Sequence, residues 1–221
     1  MKILALDTAT DACSAALNID GEISERFEIA PRQHGQLILP MIEHLLTSAG
    51  LAVSQLDAVA FGRGPGAFTG VRIAAGVTQG ISFAAGLPVI AVSDLAAVAL
   101  AAAEKHRQER VLVCMDARMG EVYWSLFEQA NIAQSGSKES LGAPETVLLA
   151  GPAFAAGSGW SAYPQMKQRL EKNLTGVDDE LLPRAGVIAR LAVSLLQRGD
   201  LVRPEQAIPV YLRDEVAWKK P

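Results

Sequence analysis

Two aspartates that each close an apolar run, and a glycine-rich loop between them, are the groups in this sequence best suited to chemistry. Ile3-Leu4-Ala5-Leu6-Asp7 ends in a carboxylate followed by Thr8 and Thr10, and Val111-Leu112-Val113-Cys114-Met115-Asp116 ends in another, followed by Arg118. A carboxylate beside hydroxyls can hold a hydrated Mg²⁺ and the phosphates that it carries. An aspartate at a strand end can equally cap the turn that follows it, and both readings stand. Gly62-Arg63-Gly64-Pro65-Gly66 lies between the apolar run Ala58–Phe61 and a long small-residue segment. Strand, glycine loop and helix follow one another there, which exposes backbone N–H groups to an anion at the helix dipole's positive end. A phosphate cradle including Gly64 and Gly66 is one reading, and a tight turn that only glycine permits is the other. The Walker spacing is absent, since Val71 and Arg72 follow Gly70.

The elements that must position these groups read in order along the chain. The run to Asp7 has the continuous apolarity of a buried central strand. Cys13 to Ile19 and Glu22 to Ile29 are two further strands joined by the hairpin signal Asp20-Gly21. From His34 to Gly50, Leu37, Ile38, Met41, Ile42, Leu45 and Leu46 recur at helical spacing. The strand before the glycine loop, the long helix, the strand Val89 to Val92 and an alanine-rich helix from Asp94 to His106 complete the order βββαβαβα. The run to Asp116, a five-residue link and the strand from Val122 then repeat the opening, offset by 109 positions. A duplicated unit implies two similar domains, 1–103 and a degenerate 104–221 whose tail from about residue 200 packs back on the first, with an aspartate from each facing a shared cleft. Beyond Glu128 the repeat is no longer visible: a polar stretch reaches Gly142, followed by Ala153 to Ala156, Gly157-Ser158-Gly159-Trp160 and an amphipathic helix from Val187 to Leu196.

Composition narrows the classes. The 221 residues are half apolar, enough for a sizeable core. Twenty basic residues against 24 acidic ones leave no broad field for nucleic acid. The deficit lies within residues 1–103, so that half is not expected to bind RNA alone. Cys13 and Cys114 sit singly in apolar runs and read as buried thiols of a reducing compartment. Ile73 to Ser93 is uncharged over 21 residues, but Gly86-Leu87-Pro88 splits it into a helix and a strand, so it is core and not a membrane span. With no apolar leader after Met1 and Lys2, a cytoplasmic location is expected. No serine sits in a nucleophile elbow. His34 and His44 are ten residues apart on one helix, about 15 Å along its axis.

The segments ILALDTATDACSAAL, GRGPGAFTGVRIAAGVTQG, DARMGEVYW, GSGW and PVYLRDEVAWKK, spread from Ile3 to Lys220, closely resemble the TsaB (YeaZ) family. The resemblance implies an actin-like, Hsp70-like (ASKHA) α/β fold of two ribonuclease-H-like domains. It also implies a role with the catalytic paralogue TsaD and the ATPase TsaE in placing threonylcarbamoyl on N6 of the adenosine next to the anticodon of tRNAs reading codons that begin with A. In that family TsaB supports TsaD and does not perform the transfer. No tightly bound cofactor is implied, ATP or ADP with Mg²⁺ would be held only within the complex, and tRNA would be met only through it. In TsaD-like relatives two histidines four residues apart ligate a metal, and aligned from Pro88 this chain has Asp94 and Val98 there. No metal site is therefore expected. An independent actin-fold ATPase or phosphotransferase would need Asp7 or Asp116 to hold Mg²⁺, and an M22-like metallopeptidase would need the missing histidines.

If surface does the work, the long helix is where to look. Gly70, Ala74 and Thr78 are four apart, as are Gly76, Gly80 and Ala84, and small rows let another helix approach. Packing on the sheet explains one row and leaves the other. In the family these first two helices are implicated in pairing with TsaD or, alone, as a homodimer. Leu37, Met41, Leu45, Val71, Ala75 and Thr78 are the residues expected at that contact. Arg118, Glu121, Tyr123 and the tail Trp218-Lys219-Lys220 have no role derivable from sequence. Stacking of Trp218 on nucleic acid and packing of Trp218 on the first domain are both open.

Overall fold

The computed structural model describes residues 1–132 and 138–213. Three strands open it, β1 (Lys2–Asp7), β2 (Ala12–Ile19) and β3 (Glu22–Ile29). The β2–β3 turn has Asp20 at φ 52° and Gly21 at φ 100°, the paired left-handed geometry that suits the twist of a tight hairpin. Helix α1 (His34–Ser48), β4 (Ala58–Gly62), α2 (Phe68–Ala85), β5 (Val89–Val92) and α3 (Asp94–His106) follow, in the order expected from sequence. The sheet runs β3-β2-β1-β4-β5, with β2 antiparallel to β1 and β4 and β5 parallel to it.

The second half contains β6 (Arg110–Asp116), β7 (Val122–Glu128), β8 (Ser140–Gly142), β9 (Ala153–Ala156), α4 (Gly159–Ala162), α5 (Pro164–Leu170), β10 (Leu174–Asp178) and α6 (Ala185–Arg198). Its sheet runs β10-β9-β6-β7-β8, with β7 antiparallel and β9 and β10 parallel. Counted from the β8 edge, this is the same order and sense as the first sheet. The repeat is thus complete, although β8 has only three residues and the 18-residue helix of the first half shrinks to the four-residue α4 and the short α5. Two ribonuclease-H-like sheets of this kind make an actin-like fold.

Each half gives a helix to the other. Helix α3 packs on β6, β7 and β9, whereas α6 packs on all five strands of the first sheet, and the two helices touch. One core cluster therefore runs from Ile3 and Ala60 through the α3 alanines to Val113, Ala156 and Ile188. Small side chains on both helices let the sheets close on this shared layer. Separate clusters lie on the outer faces, one under α1 and α2 and one under α4 and α5. A division at residue 103 separates the sheets but not the packing. The return to the first sheet begins at Ala185, earlier than the 200–221 tail assigned from sequence, and continues through Val202, which pairs with Val89 of the edge strand β5.

The glycines of α2 divide by face. A Cβ on Gly70 would lie 1.9 Å from the Thr8 carbonyl oxygen, whereas one on Gly76 or Gly80 would meet nothing within 4 Å. Gly76→Ala should stabilise the isolated chain by about 0.5–1 kcal/mol, and Gly70→Ala should destabilise it by about 1–3 kcal/mol through overpacking. Urea unfolding of the two variants tests the pair, and equal effects would contradict this account of the faces.

Candidate functional site

The side chain of Asp7 projects from the end of β1 and that of Asp94 from the first turn of α3, just beyond β5. Strand β4 lies between β1 and β5, and its last residue is Gly62. A Cβ on Gly62 would stand 2.4 Å from Asp94 Oδ1 and 2.6 Å from Asp7 Oδ1, so the two carboxyls converge over a position that only glycine can fill. Both aspartates are completely buried. The Ala9 N–H donates to Asp7 Oδ1 at 3.0 Å, and the Gly64 N–H donates to Asp94 Oδ2. Among the described residues Asp7 Oδ2 and Asp94 Oδ1 have no hydrogen-bond partner. A proton held between the carboxyls satisfies both oxygens, and two adjacent buried charges do not coexist without one. Burial pushes Asp7 up to about 6 even though Asp94 donates a hydrogen bond to it. Burial, and then the Asp7 charge, push Asp94 well above the usual carboxylate range. Both carboxyls are thus held above the ordinary range, as one proton kept by the pair requires. Facing the pair are His34 of α1, which lowers Asp7, and Arg63 of the loop, which lowers Asp94.

This pairing decides what the site can hold. Asp7 caps its own turn and is sealed, and the Thr8 hydroxyl donates to the Gly70 carbonyl at 2.7 Å within the core. Gly64, at φ 97°, is buried beside the Val210 carbonyl. The nucleotide or anion site expected from Asp7, Thr8, Thr10, Gly64, Gly66 and Asp116 is therefore not assembled as one surface. Thr10, Gly66 and Asp116 do meet, lining a cleft of about 490 Å³ between the two repeated turns. Asp7, Thr8 and Gly64 lie beneath it. Asp116 repeats the capping geometry of Asp7, accepting from the Arg118 N–H at 2.9 Å, and it also accepts from the Tyr163 hydroxyl at 3.0 Å.

The positions corresponding to the metal-ligating histidines of TsaD-like proteins do not fit a metal. Val98, fully buried, has no lone pair, and the unpartnered oxygen of Asp94 is buried beside Asp7 over Gly62. Among the described residues no three His, Cys, Asp or Glu side chains group closely enough to hold an ion. Cys13 and Cys114 are buried free thiols. Burial pushes Cys13 up to about 11 and raises Cys114 further, which leaves neither as a nucleophile.

The expected contact face needs correction. Val71, Ala75 and Thr78 are buried within the chain and Leu45 belongs to the core, while Leu37 and Met41 are half-buried against that core. These side chains fix α1 and α2 to the first sheet. The outward row of α2 is instead Arg72, Gly76 and Gly80, with Phe83 77% exposed at its end. The i, i+4 spacing identifies two rows but not which of them turns inward.

Three further features depend on contacts distant in sequence. Arg63 of the glycine loop makes two hydrogen bonds of 3.1 Å to Glu139, which Ser93 also reaches, tying the loop to the second half. Arg213 bonds to Glu121 and to the Ala117 carbonyl, anchoring the C-terminal segment on the β6–β7 turn. Arg118 pairs with Asp116, and Tyr123 is nearly buried beside the same cleft. Trp218, Lys219 and Lys220 lie outside the described residues. Of the motif YLRDEVAWKK, only Tyr211, Leu212 and Arg213 are among the described residues, and Arg213 makes the anchoring contact.

Residues 27–220 match the family model described as "TsaD: tRNA N6-adenosine threonylcarbamoyltransferase". The Escherichia coli (strain K12) tRNA threonylcarbamoyladenosine biosynthesis protein TsaB is 44% identical over all of this chain and 98% of its own length. The protein of the same description from Haemophilus influenzae is 45% identical over all of this chain and 97% of its length. Among solved structures, YeaZ from Pseudomonas aeruginosa superposes with a TM-score of 0.84 at 44% identity, covering 96% of this chain and 99% of that one. An uncharacterized protein with similarity to peptidase YEAZ, from the same organism, gives 0.87 at 46% identity over the same shares.

The buried acid pair has a pH signature. Both folded-state values lie above the ordinary 3.8, so the native state binds these protons more tightly than the unfolded chain. The pair's contribution to stability is fully present below about pH 4 and declines as pH rises. Asp94→Asn keeps a donor toward Asp7 and an acceptor for the Gly64 N–H without needing a proton. Its stability relative to the parent should rise between pH 4.5 and 7.5 by at least about 1 kcal/mol. Urea unfolding at the two pH values tests this, and a pH-independent difference would refute the shared proton.

Proposed function

The chain belongs to the TsaB family and takes part in tRNA threonylcarbamoyladenosine biosynthesis, and from that premise we propose that it acts as a noncatalytic platform for TsaD. The observation that carries this reading is the Asp7–Asp94 pair. The two carboxyls that an actin-like or metal-dependent enzyme would turn toward Mg²⁺, nucleotide or metal are spent on each other beneath Gly62. The interlocking of α3 and α6 supports the same conclusion, because a shared helical layer opposes the domain hinge by which such folds close on a substrate.

In this proposal the outward face of α2 meets TsaD. Gly76, Gly80 and Phe83, beyond the first turn of the helix, form a surface of mostly small residues, where a helix of a similarly folded partner can come close. Without TsaD, a second copy of this chain takes the same place. TsaE joins the assembled complex, Mg-ATP is held only there, and tRNA is modified only there. The chain itself transfers no group.

Reconstitution tests the division of labour. With TsaD, TsaE, a TsaC-type enzyme and unmodified tRNA, threonylcarbamoyl transfer should require this chain. Asp94→Asn should support transfer to within about twofold, and Gly76→Arg should reduce it at least roughly tenfold while abolishing co-elution with TsaD. Threonylcarbamoyl transfer by this chain in the absence of TsaD would end the platform reading.

A further inference from the structure

At the start of α2, the Arg72 guanidinium lies over the Phe68 ring, 3.3 Å from its centroid, and 5.0 Å from that of Tyr211. The rings are 6.1 Å apart and tilted by 43°. None of the three is buried: Phe68 is 56% and Tyr211 44% exposed, and Arg72 is exposed. Intrachain packing does not account for two large rings and a cation held together in solvent. They border a concavity of about 570 Å³ that Arg118, Arg213 and Tyr123 also line, and among the described residues no carboxylate side chain lines it. Helix α2 begins there without a side-chain cap, so its positive end adds to the guanidinium groups. Arg118 and Arg213 each already face a carboxylate. Among these three arginines Arg72 is the one held by rings alone.

We propose that this surface contacts an unpaired stretch of tRNA in the assembled complex. A wall of alternating ring and guanidinium planes stacks on bases of any sequence, and an adjacent cation takes a backbone phosphate. The acidic balance of the whole chain opposes tight binding alone, so the surface adds to a grip that the partner supplies. A protein segment would bury the rings equally well, but the Arg72 guanidinium and the uncapped helix start favour a polyanion whose bases also stack. The inference rests on the platform reading and assigns the platform a substrate contact.

The test uses the complex of this chain with TsaD and an unmodified tRNA transcript. Binding is measured by gel shift across a salt series, with co-elution and melting temperature recorded for each variant. Arg72→Ala should weaken tRNA binding roughly tenfold and lower the salt slope by about one. Phe68→Ala and Tyr211→Ala should weaken it to a similar degree with little change of slope, and Tyr211→Phe should restore it. All four variants should co-elute with TsaD. Unchanged tRNA affinity in variants that assemble normally would overturn the inference and leave the platform intact. Affinity lost only in step with TsaD would overturn it by assigning the surface to protein, and micromolar binding of a free mononucleotide to the isolated chain would overturn it by making the concavity a nucleotide site. Transfer that does not depend on the wild-type chain would instead be failure of the platform reading.

Discussion

Two buried carboxyls converge over a glycine, and much of the first half depends on that contact. Asp7 fixes the turn after β1 through the Ala9 N–H, and Asp94 fixes the glycine loop through the Gly64 N–H. The same two segments are bound to each other, since the Ala67 N–H donates to the Ala9 carbonyl and Gly66 and Gly70 press on the backbone of Thr8 and Ala9. The start of α2 is set by these contacts, and so is everything α2 presents to solvent. A buried acid pair carries a desolvation cost. Here it does the work of a linchpin joining β1, β4 and α3, where a related enzyme would present ligands to a substrate.

The duplicated architecture has been turned toward rigidity. Both halves retain the same strand order, the same aspartate at the end of the first strand and the same cap on the following turn. The exchange of α3 and α6 places one apolar layer between the sheets, and Arg63, Ser93 and Glu139 close the loop end of the interface with a largely buried ion pair. Breaking such a pair on one side only is costly, because the remaining charge stays buried. A frame of this kind holds its surfaces in fixed relation, as the proposed platform role requires.

Surface and core divide along a single helix. The inward row of α2, Gly70, Ala74 and Thr78, lets the helix lie against β1 and β4, while the outward row leaves Gly76 and Gly80 uncovered. Glycine in an exposed helical position weakens the helix without any gain inside the chain. In the proposed pairing, the outward row leaves the space that a neighbouring helix needs. At the helix's start the aromatic and guanidinium groups form a second, chemically different patch, adjacent to the cleft but not part of the acid pair.

Hydrophobic periodicity, glycine punctuation and the offset of 109 positions were sufficient to read the first eight elements, the repeated hairpin and the resemblance that carried the fold, because those signals are local and strong. The second copy was legible only as far as Glu128, since a three-residue β8 and a four-residue α4 are too short to show a period. In the sequence Asp94 stands only as the replacement of a metal-ligating histidine; its actual partner, Asp7, lies 87 positions away and meets it only when β4 comes between β1 and β5. The inward turn of Val71, Ala75 and Thr78 was likewise undecided by spacing, because two rows of small residues have the same period and only the sheet beneath selects one. Sequence determined which residues form elements and which family they suit; the tertiary structure decided which carboxyl faces which, and which side of a helix is left for another molecule, because both depend on contacts between segments distant along the chain.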